Sequence, residues 1–167
     1  MPAGMKPIQS AQGVGRSART VPPLPFWLGL AGLLPQLACL AAVWIGPEEW
    51  YYAALAIGWG YGALIFSFLG GLWWGIAAGA GARGMRVPAW LWIAAIVPSL
   101  LALLTYLPWV FGWEWPGPSL GLLGLAILGS LLVDRRLSGR EAPEWWWHLR
   151  APLSVGLGLA TLLLPFA

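Results

Sequence analysis

The stretch YYAALAIGWGYGALIFSFLGGLWWGIAAG, residues 51–79, decides the fold, because it runs for 29 residues without a charged side chain. A helix needs about 20 predominantly apolar residues to cross the hydrocarbon core of a bilayer. In lipid, the backbone N–H and C=O groups of such a segment must bond to one another, as they do in a helix. The stretch therefore predicts a membrane-spanning helix.

Four further segments of the same kind lie on either side of this one. The five predicted spans are residues 26–45, 51–79, 89–107, 119–133 and 149–166. Only 9% of the residues are charged, against about 25% in a soluble domain. The predicted fold is an all-α integral membrane protein with five transmembrane helices in one compact bundle, formed by residues 25–167.

Residues 1–24 have a different composition, because they mix Gly, Ser, Ala and Pro with three cations and no acid. That composition predicts a disordered basic N-terminal tail. No apolar core follows its basic start, so a cleaved secretory signal is not expected. The tail also has the composition of a mitochondrial presequence. The predicted location is therefore the bacterial inner membrane, with the mitochondrial inner membrane as the alternative.

All the cations fall on one side of the predicted arrangement. They are Lys6, Arg16, Arg19, Arg83, Arg86, Arg135, Arg136, Arg140 and Arg150. Because cytoplasmic loops carry the excess of Lys and Arg, this pattern predicts the N-terminus inside and the C-terminus outside. That orientation requires an odd number of spans, which agrees with five. The sequence pI of about 9.5 is thus explained by topology, and no nucleic acid partner is expected.

The first and third spans contain a similar motif, PFWLGLAGLLPQL at residues 25–37 and PAWLWIAAIVPSL at residues 88–100. Each motif places a second proline before a polar residue, Pro35 before Gln36 and Pro98 before Ser99. The similarity predicts a parallel two-helix repeat plus a fifth helix, with chance likeness between apolar helices as the alternative. Repeats of this kind occur in transporters, where they place ligand sites at broken helices.

Small residues recur every four positions in the second span, at Ser67, Gly71, Gly75 and Gly79. Such a stripe lets another helix backbone approach closely. It predicts tight packing against another helix of this chain, with a dimer interface or a groove for a partner as the alternatives.

Two adjacent indoles, Trp73 and Trp74, lie beside that stripe. Neighbouring residues on a helix point about 100° apart, so the two cannot both face the groove that the glycines open. A buried indole N–H needs an acceptor, and a carbonyl freed by Pro35 or Pro98 is the predicted one. The alternative is an aromatic wall for a flat ligand such as a porphyrin or quinone. The candidate ligand-binding residues are then Trp73, Trp74, Pro35, Gln36, Pro98 and Ser99.

The charged triplet Asp134-Arg135-Arg136 ends the fourth span. Asp134 is predicted to pair locally with Arg135 and Arg136, and the alternative is a buried counter-charge within the bundle. His148 is predicted to lie at the membrane interface and Cys39 to be buried as a small apolar side chain. No metal-ligand cluster, phosphate loop or nucleophile with a base is recognisable. The sequence therefore predicts no enzymatic activity and no cofactor.

Four motifs together carry a family resemblance: WLGLAGLLP at 27–35, SFLGGLWWG at 67–75, VPSL at 97–100 and DRRL at 134–137. They resemble a family of small bacterial membrane proteins described as domain of unknown function 3429, which is similar to the mitochondrial transmembrane protein 69. The resemblance covers residues 26–166. It implies a multi-helix inner-membrane protein, and it implies no activity or catalytic residues.

These patterns favour a non-enzymatic membrane protein that packs against a larger membrane complex as an accessory or assembly subunit. Its expected partners are the lipid bilayer and the helices of other membrane proteins. The alternative is a small-molecule binder or carrier with a Trp-lined site between the kinked first and third helices.

Overall fold

The computed structural model describes residues 20–166, in which the regular elements are helices and no β-strand occurs. The helices are α1 (Pro23–Ala31), α2 (Leu34–Ile45), α3 (Tyr51–Ala82), α4 (Ala89–Val110), α5 (Gly117–Leu137) and α6 (Trp146–Leu163). Single 3-10 turns precede α3 at Glu48–Trp50 and extend α6 at Leu164–Phe166. Most of the predicted tail, residues 1–19, lies outside the described residues.

Five segments are long and apolar enough to cross a membrane, and they confirm the predicted all-α fold. They are Pro23–Ile45, Glu48–Ala82, Ala89–Val110, Gly117–Leu137 and Trp146–Phe166. The fourth and fifth segments are longer than predicted because their helices continue through polar residues at the boundary. As a result, Asp134 lies inside a helix rather than in a connector, and Arg150 lies four residues from the start of its helix rather than at its edge.

The first span is broken into two helices, because α1 and α2 meet at a turn formed by Gly32 and Leu33. Pro35, in the first turn of α2, has no N–H with which to continue the hydrogen-bond ladder across the break. The hydroxyl of Tyr61 in α3 donates a hydrogen bond to the carbonyl of Gly32. In contrast, α4 continues through Pro98. The two halves of the predicted repeat therefore differ in shape.

Close packing between helices depends on glycines outside the predicted stripe. A Cβ atom on Gly70 would overlap the carbonyl oxygen of Ala95 in α4. A Cβ on Gly124 in α5 would lie 3.0 Å from the carbonyl oxygen of Gly158 in α6, and the reciprocal distance is 3.2 Å. These glycines let the helix backbones approach, which is the small-residue packing typical of membrane helices.

The prediction that the stripe forms a seam within this chain is wrong for Gly71 and Gly75. Both are exposed, and nothing lies within 4 Å of a Cβ built on either. Burial of Trp73 and the neighbouring large side chains turns Gly70 inward, so Gly71, about 100° further round the helix, points outward.

Of the two ends of the stripe, Ser67 contacts another helix of this chain, and Gly79 lies near only the end of its own helix. Ser67 shares a 2.7 Å hydrogen bond with Ser99 of α4. A Cβ on Gly79 would meet only the side chain of Arg83, at 3.6 Å. The alternative reading of the stripe, contact with another polypeptide, stays a prediction.

Charge is distributed unequally between the two ends of the bundle. Five spans bring residue 20 and the connectors 83–88 and 138–145 to one end, which we call the basic end. The charged residues near that end are six arginines and the acids of the connector 138–145: Arg83, Arg86, Arg135, Arg136, Arg140 and Arg150, with Glu141 and Glu144, besides Asp134. The connectors at the other end, residues 46–50 and 111–116, carry Glu48, Glu49 and Glu114 and no cation.

Candidate functional site

Asp134 lies in the last turn of α5 and is fully buried, with 0% of its surface exposed. Its Oδ1 accepts hydrogen bonds from the indole N–H groups of Trp73 and Trp146, both at 2.9 Å. Its Oδ2 accepts a hydrogen bond from Nε of Arg150 at 3.1 Å, and the two side chains form an ion pair. The carboxylate therefore joins α3, α5 and α6 at one point near the basic end.

The short connector between α5 and α6 brings these groups together. Its chain turns back on itself through a hydrogen bond from the amide of Ala142 to the carbonyl of Leu137, with Gly139 at a φ of 74°. The first turns of α6 consequently start beside the last turn of α5. The Nη2 atom of Arg150 also donates to Ser154 Oγ at 3.0 Å, one turn further along α6. The guanidinium is thus held on two sides.

The partner of Asp134 differs from the one predicted. The expected local pairing with Arg135 and Arg136 is replaced by pairing with Arg150, so the alternative of a buried counter-charge is the arrangement observed. Successive helical residues point about 100° apart, and Arg135 and Arg136 face outward when Asp134 faces the core. The guanidinium of Arg136 lies 5.9 Å from the ring centroid of Trp90, in a cation–π contact.

Arg150 and Trp146, the other two donors besides Trp73, are not among the predicted site residues. Arg150 is the only cation in the fifth apolar segment, and a cation inside a span is by default paired or functional. The cation inside an apolar segment is visible in the sequence, but a predicted span that begins at residue 149 places Arg150 at the membrane interface. Trp146 stands in a run of three Trp residues, and nothing in that run marks it as the buried one.

The two adjacent indoles of α3 diverge, as the helical geometry required. Trp73 is buried and donates to Asp134, so the predicted acceptor, a carbonyl freed by a proline, is wrong. Trp74 is exposed and packs edge-to-face against Trp92 of α4, with ring centroids 4.8 Å apart. Trp73 therefore donates a hydrogen bond to the carboxylate of the ion pair, and Trp74 faces outward.

The other predicted ligand residues lie apart from one another. Pro98 and Trp73 line a groove of about 290 Å³ between α3, α4 and α5. Gln36 is buried in α2, where its amide nitrogen donates to the Thr161 hydroxyl at 3.0 Å. Pro35 is exposed, and Ser99 is bonded to Ser67. A single flat-ligand site built from all six residues is not assembled, and ligand binding at any of them stays a prediction.

A larger cavity, of about 410 Å³, lies beside the ion pair between α1, α3 and α6. Its size falls within the range of roughly 300–1,000 Å³ that is usual for small-molecule sites. Most of its wall is aliphatic, while Arg150 and Ser154 supply polar groups. The aliphatic lining includes Leu28, Leu33, Ile65, Leu72, Leu149 and Leu153. We call this space the α1–α6 cavity.

The break in the first span accounts for this cavity. No residue of α1 is buried, and α1 meets α6 at Gly29, where a Cβ would lie 2.7 Å from Cδ1 of Leu153. The short helix thus rests against α6 on one side, and the space between it and α3 is left open. No pattern in the sequence predicts a site at this place.

The side chains that commonly bind metals are dispersed within the described part of the chain. Among residues 20–166, no group of three or more His, Cys, Asp or Glu side chains could hold a metal ion. Cys39 is a buried free thiol in α2, as predicted. His148 is exposed in the first turn of α6.

Five apolar helices with a buried ion pair at one end define a multi-pass helical membrane protein. The chain matches the family described as Protein of unknown function (DUF3429) over residues 21–165, and it belongs to that family. The predicted family membership is thus confirmed, while similarity to the mitochondrial transmembrane protein 69 stays a prediction. No curated protein and no solved structure matches the chain.

Proposed function

We propose that the protein is a non-enzymatic accessory subunit that binds another membrane protein through the outward face of α3. The observation that carries the proposal is the open pair Gly71 and Gly75, which nothing in this chain approaches within 4 Å of a built Cβ. We call the surrounding surface the α3 glycine face, formed by Leu64, Phe68, Gly71, Gly75 and Ala78.

Glycine at these positions weakens the isolated helix. Each glycine inside a helix costs about 0.5–1 kcal/mol relative to alanine, and it offers the lipid tails less surface to contact. Close approach of a second backbone offsets that cost, because membrane helices associate through close packing rather than through a hydrophobic driving force. Leu64 and Phe68, which are strongly exposed, would flank the approaching helix. A helix from another polypeptide fits this surface.

The remaining chemistry supports a role without catalysis. The buried carboxylate of Asp134 already accepts three hydrogen bonds, so it is not free to act as an acid or base. The connectors between spans contain at most eight residues each, as the longest, 138–145, illustrates. Contacts within the membrane are therefore the main means by which this part of the chain can act.

We further propose that the basic end faces the bacterial cytoplasm, or the matrix if the membrane is mitochondrial. The concentration of arginines at that end supports this orientation through the positive-inside rule. A tag fused to the C-terminus should be cleaved by protease added to intact spheroplasts, because it lies on the periplasmic side. Accessibility only from the cytoplasmic side would overturn the orientation.

Bulky substitutions on the α3 glycine face should abolish assembly without unfolding the protein. Gly71→Leu and Gly75→Leu each fill the space that a partner backbone would occupy. On native gels of mildly solubilised membranes, we expect the wild type in a complex larger than its own dimer and the variants as free protein.

The matched control is Gly129→Leu, at an exposed glycine of α5 that also has nothing within 4 Å of its Cβ. This variant should stay in the complex. A wild-type protein that migrates as a monomer or homodimer in every mild detergent would contradict the proposal. So would glycine-face variants that keep the complex intact.

A further inference from the structure

We propose that the α1–α6 cavity binds a lipid-like amphiphile, with a hydrocarbon chain between α1 and α3 and an anionic, oxygen-bearing head at Arg150. A free fatty acid and an anionic phospholipid share this chemistry. The inference does not depend on the accessory role: Phe68 borders both sites, but Leu72 and Ser154 belong to the cavity alone, and Gly71 and Gly75 to the α3 glycine face alone.

The polar groups that line the cavity are donors with unused capacity. A guanidinium has five N–H groups, and Arg150 uses Nε for Asp134 and Nη2 for Ser154. Its Nη1 has no hydrogen-bond partner among residues 20–166. Ser154 accepts from Arg150, and within the same range its own hydroxyl proton has no acceptor. A ligand head at this point must therefore accept hydrogen bonds.

Asp134 does not offer a competing acceptor. Its carboxylate is fully buried and already accepts from Trp73, Trp146 and Arg150. A cationic head would meet the guanidinium with no free carboxylate to balance it. The donors that line the cavity thus select against amines and in favour of carboxylate or phosphate oxygens.

The local charge favours an anion. Arg150 is the one charged residue among the side chains that line the cavity, and its counter-charge, Asp134, is not part of the lining. Basic pockets at the ends of membrane helices commonly hold anionic lipid heads. Charge-assisted hydrogen bonds from arginine to carboxylate or phosphate are also stronger than neutral ones.

The apolar part of the cavity is continuous with the surface that faces lipid. Leu28 of α1 and Phe68 of α3 both line it, and they are themselves 63% and 62% exposed. A hydrocarbon chain can therefore enter sideways from the bilayer, with its head at the level of Arg150. The volume of about 410 Å³ suits one chain rather than a whole two-chain lipid, so the second chain of a phospholipid would stay outside.

Binding can be measured by native mass spectrometry of the purified full-length protein in mild detergent. The probes are palmitate, phosphatidylglycerol, phosphatidylcholine and hexadecanol, which separate the effect of the head from that of the chain. We expect palmitate or phosphatidylglycerol to bind at least about tenfold more tightly than the zwitterionic lipid and the alcohol, the ratio that corresponds to about 1.4 kcal/mol. The stronger of the two anionic probes identifies the source of the ligand.

Two variants test the site itself. Leu72→Trp fills the cavity and should abolish retention, whereas Leu125→Trp, at a lipid-facing position of α5 with 61% exposure, should retain it. Ser154→Ala leaves the walls intact but removes both a hydroxyl donor and the acceptor that positions Nη2 of Arg150, so anionic binding should weaken by about three- to tenfold. The proposal would be overturned if phosphatidylcholine and hexadecanol bound as tightly as palmitate and phosphatidylglycerol. It would also be overturned if both cavity variants bound the anionic probes as well as the wild type does.

Discussion

Asp134→Asn is expected to lower the free energy of unfolding by about 3–5 kcal/mol, the usual cost of removing one partner from a buried ion pair. Asparagine has nearly the same shape as aspartate, so the change removes charge and leaves the packing in place. Arg150, whose side chain is 12% exposed, would then keep its charge in a membrane helix without a counter-charge. The shift of the unfolding midpoint in detergent measures the effect.

Two comparisons separate this effect from a general response to neutralised acids. Glu114→Gln removes an acid from an exposed connector and should leave the midpoint unchanged. The double variant Asp134→Asn with Arg150→Met removes both charges and keeps an acceptor for the indole N–H groups of Trp73 and Trp146, so it should recover much of the lost stability. If the single substitution were as mild as the change at Glu114, the ion pair would not hold the three helices together.

Gly70→Ala and Gly71→Ala should have opposite effects although the two positions are adjacent. The added methyl group at Gly70 would overlap the carbonyl oxygen of Ala95. Because a backbone oxygen cannot rotate away, α3 and α4 must separate, and we expect a loss of about 1–3 kcal/mol. At Gly71 the methyl group meets nothing within 4 Å. There we expect no loss, and a gain of up to about 1 kcal/mol from helix propensity.

The same unfolding measurement applied to both alanine variants tests the orientation of α3. Similar stabilities for the two variants would mean that the helix is rotated from the position described. A larger loss of stability at Gly71 than at Gly70 would mean that Gly71 packs against another helix, as the four-residue spacing predicts.

Much of the fold follows from the sequence because apolar length alone identifies spans in lipid. The rotation of each helix does not follow, since the four-residue spacing favours Gly71 as the packing position, whereas the structure buries Gly70. Trp73 settles the rotation by donating to Asp134, a residue 61 positions away in the chain. A pattern within one helix carries no information about such a partner.

The candidate sites depend even more on tertiary structure. Pro35 predicts a disturbance of the first span, but not that α1 would rest on α6 and leave a cavity beside α3. The pairing of Asp134 with Arg150 requires the exact ends of α5 and α6, and helix ends are the least certain part of any sequence-based assignment. In the predicted span Arg150 lies at the edge, as a surface charge. In the structure it lies four residues inside α6 and forms the ion pair at the centre of the site.

The accessory role is tested most directly by a photoreactive side chain placed on the α3 glycine face in native membranes. Phe68 on that face and Leu125 on α5 are matched positions, 62% and 61% exposed. A probe at residue 68 should give one discrete cross-linked product with another membrane protein, which disappears when Gly75→Leu is added, and a probe at residue 125 should give none. Cross-links from residue 68 to lipid alone, or the same protein product from both positions, would contradict the account.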